Sequence, residues 1–155
     1  MNNNDTLRRV RYTFNFNDSK MIELFGSGGR EVTRAQVSDW LKKEDDPECQ
    51  ELDDEHLAAF LNGLINDRRG KKKGPQPEPE KKLNNNIILR KLKIALNLKD
   101  EDILSILELV RFRLGKAELS AFFRNPSHHH YRECKDQILR NFLHGLQLKY
   151  SENQG

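Results

Sequence analysis

Shifting the chain by 82 positions lays its second half on its first without a gap. Asn3-Asn4 falls on Asn85-Asn86, Leu7-Arg8 on Leu89-Arg90, Asn15 on Asn97, Asp18 on Asp100, Ala35 on Ala117 and Ser38 on Ser120. Near the end of each copy Leu57, Phe60, Leu61, Gly63 and Leu64 fall on Leu139, Phe142, Leu143, Gly145 and Leu146. Other positions match in kind: Val32 with Leu114, Val37 with Leu119, Trp40 with Phe122. An internal duplication fixes the scale of the fold. Each copy must close a core within roughly 70 residues, enough to fold alone on a thin margin.

The apolar spacing within a copy predicts four helices. Leu7, Val10 and Phe14 fall at i, i+3 and i+7 of a first helix over about 5–14, and Leu89, Leu92 and Leu96 repeat them. Asn15 and Asn97 stand where that helix stops, a place for residues that tolerate the left-handed conformation. A second helix opens near Asp18 or Asp100 and uses Met21, Ile22, Leu24 and Phe25, or Ile103, Leu104, Ile106 and Leu107; Gly26-Ser27-Gly28-Gly29 breaks it in the first copy. Thr33 with Gln36 forms a capping box for a third helix, where Gly115 and Glu118 stand in the second copy. Leu57, Phe60, Leu61, Leu64 and Ile65 give the fourth helix its stripe. No segment alternates with period two. The expected fold is all-α, with two tandem four-helix units at 1–69 and 84–150, a flexible linker rich in Lys, Pro and Glu at 70–83, and a disordered tail at 151–155.

Hydrophobic residues make up 35% of the chain and charged residues 33%, a lean balance, but the apolar residues cluster rather than dilute. There is no apolar run long enough to cross a membrane and no signal-peptide core after the polar Met1 to Asp5. The two cysteines, Cys49 and Cys134, fit a reduced compartment better than a disulfide framework, so the expected location is the cytoplasm. The net charge of +3 conceals an asymmetry. Residues 1–70 carry ten Lys/Arg against fourteen Asp/Glu, whereas residues 83–155 carry twelve against eight.

Candidate chemistry is thin. His128-His129-His130 with Cys134 suggests a metal, but structural zinc sites take four ligands in paired spacings, and Asp46-Pro47-Glu48 holds the matching place in the first copy. A polar loop is the better reading. The carboxylates at Glu44-Asp45-Asp46 lack any sign of a cleft, and Asp53-Asp54-Glu55 suit a helix N-terminus. No phosphate-cradling glycine loop and no nucleophile–histidine set is present. Gly63 and Gly145 inside the fourth helices point to close approach by a neighbouring helix. The reading is of a non-catalytic protein with no cofactor, no metal, no small-molecule substrate and no membrane partner.

Two features keep RNA or DNA in view as a partner. The first helices carry Arg8, Arg9 and Arg11, and Arg90, Lys91 and Lys93, with Arg8 and Arg11, and Arg90 and Lys93, sharing the face opposite the core. Lys71-Lys72-Lys73 between the copies extends that basic surface, which could follow a phosphate backbone. The second and third helices also look superficially like a helix-turn-helix with Arg34, Gln36, Ser38 and Lys42 outward, though the intervening turn is long and Asp39 and Glu118 oppose phosphate. The alternative is a protein–protein adaptor that uses apolar grooves of the two units.

The doubled Asn-Asn-x-x-Leu-Arg opening, Glu31-Val32 with Trp40-Leu41-Lys42-Lys43-Glu44-Asp45, and the Phe-Leu-x-Gly-Leu closings at 60–64 and 142–146 resemble the bacterial YehS-like proteins, a family of tandem domains of unknown function. The resemblance runs from about Asn2 to Tyr150. It implies the tandem architecture and a small cytosolic bacterial protein, and it carries over no cofactor and no catalytic residue.

Overall fold

The computed structural model describes residues 1–152. The chain divides into two compact units, one ending at Leu83 and the next beginning at Asn84. Unit 1 holds α1 (Asn3–Phe14), α2 (Asp18–Ser27), α3 (Arg34–Leu41) and α4 (Asp54–Arg69). Unit 2 holds α5 (Asn85–Ala95), α6 (Asp100–Leu109), α7 (Lys116–Phe122) and α8 (Asp136–Glu152). Among the described residues there is no strand. The fold is therefore all-α, two tandem copies of one four-helix unit.

Each start and stop has a local cause. α1 begins two residues earlier than its apolar spacing suggests, because Asn2 caps it. The Asn2 side chain accepts from the Asp5 amide at 2.8 Å, and the Asp5 carboxylate accepts from the Asn2 amide at 3.3 Å. Asn15 and Asn97 end the first helices at φ 54° and φ 53°, the left-handed geometry expected of them. The Thr33 box closes as its spacing predicts: Thr33 Oγ1 accepts from the Gln36 amide at 3.1 Å, and Gln36 Oε1 accepts from the Thr33 amide at 2.8 Å. Gly26 does not break α2, which continues to Ser27 and turns at Gly29, φ 109°. The second copy makes that turn at Arg111, φ 58°.

The core is the same core twice. Leu7, Leu24, Phe25, Val37, Trp40, Leu57, Phe60, Leu61 and Leu64 are buried, and so is every residue 82 positions on. Phe25 lies between Trp40 and Phe60, each ring centroid 5.2 Å away. Burying a side chain of this size contributes about 1.5–3 kcal/mol, so a dozen such positions per unit supply the main driving force.

Backbone packing explains the paired glycines. A Cβ on Gly63 would sit 1.8 Å from the Leu24 carbonyl oxygen, and one on Gly145 would sit 2.4 Å from that of Ile106. Both neighbours are backbone atoms 82 positions apart, so each fourth helix crosses its second helix at the same point. The segment joining the units has no regular structure. Lys71 to Pro75 are exposed, while Pro79 is buried beside Gly29 and the Leu83 amide donates to Asp54 at 2.9 Å. The expected tail at 151–155 starts too early: α8 runs on through Ser151 and Glu152, and residues 153–155 lie outside the described residues.

Candidate nucleic-acid interface

The asparagine pairs that open each copy bind structure, not ligand. The Asn4 amide donates to the carbonyls of Trp40 at 3.0 Å and Gln50 at 2.7 Å, and its oxygen accepts from the Leu52 amide at 3.0 Å. Asn86 repeats this on Phe122 at 3.0 Å, Arg132 at 2.8 Å and the Cys134 amide at 2.9 Å. Asn3 and Asn85 hold the same loops through Leu52 and Asp54, and through Cys134 and Asp136. Asn4 and Asn86 are buried, where an unpaired amide would be costly, and each ties the end of α3 or α7 to the loop before the last helix. The repeat exposed this pair in the sequence; its role needed the three-dimensional partners.

The basic stripes divide once those loops are in place. Arg8 donates to the Lys42 carbonyl at 2.7 Å and pairs with Asp5, so its guanidinium caps the end of α3. Lys93 pairs with Asp100 at 2.7 Å and lies over the Phe123 ring at 4.3 Å. Arg11 is half-buried, with its Nε out of reach of solvent. Arg9 and Arg90 are half-exposed and make no ion pair among the described residues, and Lys91 is half-exposed. Lys71, Lys72 and Lys73 are exposed, also without an ion pair among the described residues. The sequence thus places six cations on two helices, and the structure leaves fewer of them facing outward.

The third helix offers little to read bases. Arg34 pairs with Asp18 at 3.3 Å, Gln36 is spent on the capping box, and Lys42 is held by Asp39 at 2.7 Å and Glu48 at 2.9 Å. Hydrogen bonds from Lys42 to those two carboxylates hold its ammonium above its ordinary pKa.

The loops before the last helices differ most. Between α3 and α4 stand Glu44, Asp45, Asp46, Glu48 and Glu51. Glu44 and Glu51 rim an open pocket of about 230 Å³ with Asn2, Asn4, Arg8 and Cys49. Between α7 and α8 stand Arg124, His128, His129, His130 and Arg132, all exposed. The histidine rings lie against one another, with centroids 4.7 Å apart for His128 and His129 and 3.9 Å for His129 and His130. Cys134 does not join them. It is buried where unit 1 has Leu52, and burial pushes its thiol up to about 12. Among the described residues no three His, Cys, Asp or Glu side chains converge as metal ligands.

Comparison with known families covers both units: the family described as "Protein of unknown function (DUF1456)" matches residues 3–70 and 85–151. The chain belongs to that family. Its two matched segments coincide with the two four-helix units, so the DUF1456 unit is the Asn-clamped bundle described above. The chain is 44% identical to the "Uncharacterized protein YehS" of Escherichia coli (strain K12) over 156 residues, spanning 100% of both chains. No solved structure matches. No helix among the described residues of this DUF1456 protein is long and apolar enough to cross a membrane.

Proposed function

We propose that this protein is a non-catalytic binding module that contacts the phosphate backbone of nucleic acid. The observation that carries the reading is the exposed run Arg69-Gly70-Lys71-Lys72-Lys73, whose cations have no carboxylate partner among the described residues. Arg9 and Arg90 add half-exposed cations on α1 and α5. Arg8 and Lys93, tied to Asp5 and Asp100, serve mainly to hold their own units together. Unpaired cations release counterions when they meet phosphate, which makes such binding steeply salt-dependent.

The test is fluorescence polarisation of tag-free protein with labelled single-stranded RNA, duplex RNA and duplex DNA at two salt concentrations. The expected result is a dissociation constant of about 1–100 μM at moderate salt. Reversal of Lys71, Lys72, Lys73, Arg9 and Arg90 to glutamate should remove the binding. Absence of binding at low salt would sink the reading.

A protein partner is the second reading, and one observation favours it. Leu109 and Leu148 are 46% and 37% exposed, at the positions where unit 1 has Ser27 and Asn66 hydrogen bonded at 3.1 Å. An apolar pair in place of a satisfied polar pair suits a docked apolar side chain. Replacing them together by the unit 1 residues, L109S with L148N, should abolish capture of such a partner while leaving the fold intact.

A further inference from the structure

We infer that the α7–α8 loop of unit 2 is a contact surface for single-stranded nucleic acid, with phosphates on Arg124 and Arg132 and unstacked bases against the histidine rings. This rests on the nucleic-acid reading above and assigns it a second surface and a preferred strand form.

The loop combines charge with a cluster of exposed rings that lie against one another. Arg124 and Arg132 flank three consecutive exposed imidazoles, and the carboxylate that follows, Glu133, is paired with Lys135 at 3.4 Å. Proteins that track single strands use such pairings, cations for the backbone and aromatic rings for the bases. Histidine serves as a stacking ring in that role. A duplex hides its base faces, so a ring platform discriminates in favour of a single strand.

The platform is also held in place, which limits the ordering cost of binding. The Arg132 amide donates to the Ala121 carbonyl at 3.2 Å, and the Arg132 carbonyl accepts from buried Asn86. Asn125 turns the chain ahead of the histidines by accepting from the Ser127 amide at 2.9 Å. Further bonds run from His128 to the Asn125 carbonyl and from Tyr131 to the His128 carbonyl, each 2.9 Å. Unit 1 has the same scaffold with the opposite charge, since Asp46-Pro47-Glu48 stands where His128-His129-His130 does. Only the unit 2 loop attracts phosphate.

The experiment uses the full, tag-free chain with a chelator present, so that metal captured by the histidines plays no part. Labelled oligouridylate of about 12 nucleotides and a duplex RNA of the same length are titrated in parallel, within the site sizes such proteins cover. H128A/H129A/H130A should weaken oligouridylate binding about tenfold or more, the loss of one stacked base, and leave duplex binding unchanged. R124A/R132A should reduce the salt dependence of oligouridylate binding by about one counterion per arginine. Far-UV circular dichroism confirms that both variants keep their helices. Parent-like oligouridylate affinity in the triple-alanine variant, with binding still lost on reversing the linker lysines, would overturn this inference and leave the linker reading standing. Failure of the parent to bind either probe would overturn both.

Discussion

Unit 1 brings α2 against α4 through two glycines, Gly28 and Gly63, with Ala58-Ala59 beside them; unit 2 keeps Gly145 but has Val110 and Arg140-Asn141 in the other places. A Cβ on Gly28 would fall 1.6 Å from the Ala59 carbonyl oxygen, so Val110 requires the second pair of helices to stand further apart. The smaller overlap at Gly145 than at Gly63 agrees with this. The contrast separates what the fold demands from what it tolerates. The glycine of the fourth helix, the buried asparagine, the left-handed asparagine and the asparagine cap of the first helix occur in both copies, while loop charge, the caps of the later helices and the exposed Leu109 and Leu148 do not.

The largest effect should come from the crossing glycines. Gly63→Ala forces two backbones apart and should cost about 3 kcal/mol or more. Gly145→Ala should cost less, because its Cβ overlaps the Ile106 carbonyl oxygen at 2.4 Å rather than 1.8 Å. Chemical denaturation of the full chain, with hydrogen exchange to assign each transition to its unit, tests this order. Equal losses would mean that the helix spacing does not differ as described.

Removing the clamp comes next. Asn4→Leu or Asn86→Leu deletes three hydrogen bonds to buried backbone groups and should destabilise its own unit by about 2–3 kcal/mol. The accompanying sign is faster exchange at the Leu52 or Cys134 amide, each of which loses its acceptor. A local effect confined to the altered unit sharpens the comparison; a global one would show that the two units unfold as one.

Arg111 runs the other way. It occupies the left-handed turn that Gly29 makes in unit 1, a conformation that disfavours side chains. Arg111→Gly should raise the stability of unit 2 by about 1 kcal/mol, read as a shifted denaturation midpoint. No gain would mean that the guanidinium contributes there.

The smallest effect is acid sensitivity at the start of α4. Asp53 feels burial that raises its pKa, but hydrogen bonds from the His56 backbone and ring, with the charges of His56 and Arg30, leave it lowered overall. A lowered native value means that this cap stabilises α4 above the ordinary carboxylate range and is lost as pH falls through the native pKa. Lys135 holds the equivalent place before α8 and cannot accept a cap hydrogen bond. Acidification should therefore speed exchange at the His56 amide, with no counterpart at Ile138, whose amide is bonded to the Lys135 carbonyl.

Much of this architecture was legible in the sequence because it rests on periodicity. The offset of 82, the stripes on α1 and α4, the Thr33 box and the stops at Asn15 and Asn97 are local or repeated patterns. The clash behind Gly63 and Gly145 was legible too, since a glycine in a helix needs a reason. What the residues alone could not give were contacts across the fold. Nothing local reveals that Asn4 reaches Trp40 and Gln50, or that Arg8 turns to the Lys42 carbonyl. The candidate surface shifted for that reason. Spacing put Arg8 and Lys93 outward, and long-range partners took them back. The α7–α8 loop was read as polar; its cations became visible as a surface only once Cys134 was seen to point into the core.

The buried asparagine clamp separates the course of the loop from its composition. Asn4 and Asn86 grip backbone carbonyl and amide groups, which any residue but proline supplies whatever its side chain. The side chains of that loop are therefore free to drift without disturbing the bundle beneath, and after a duplication one copy could turn acidic and the other basic at little risk to folding. The same freedom is open to an engineer: a foreign peptide of equal length, grafted between Leu41 and Leu52, would inherit a defined path across the surface without having to specify one itself.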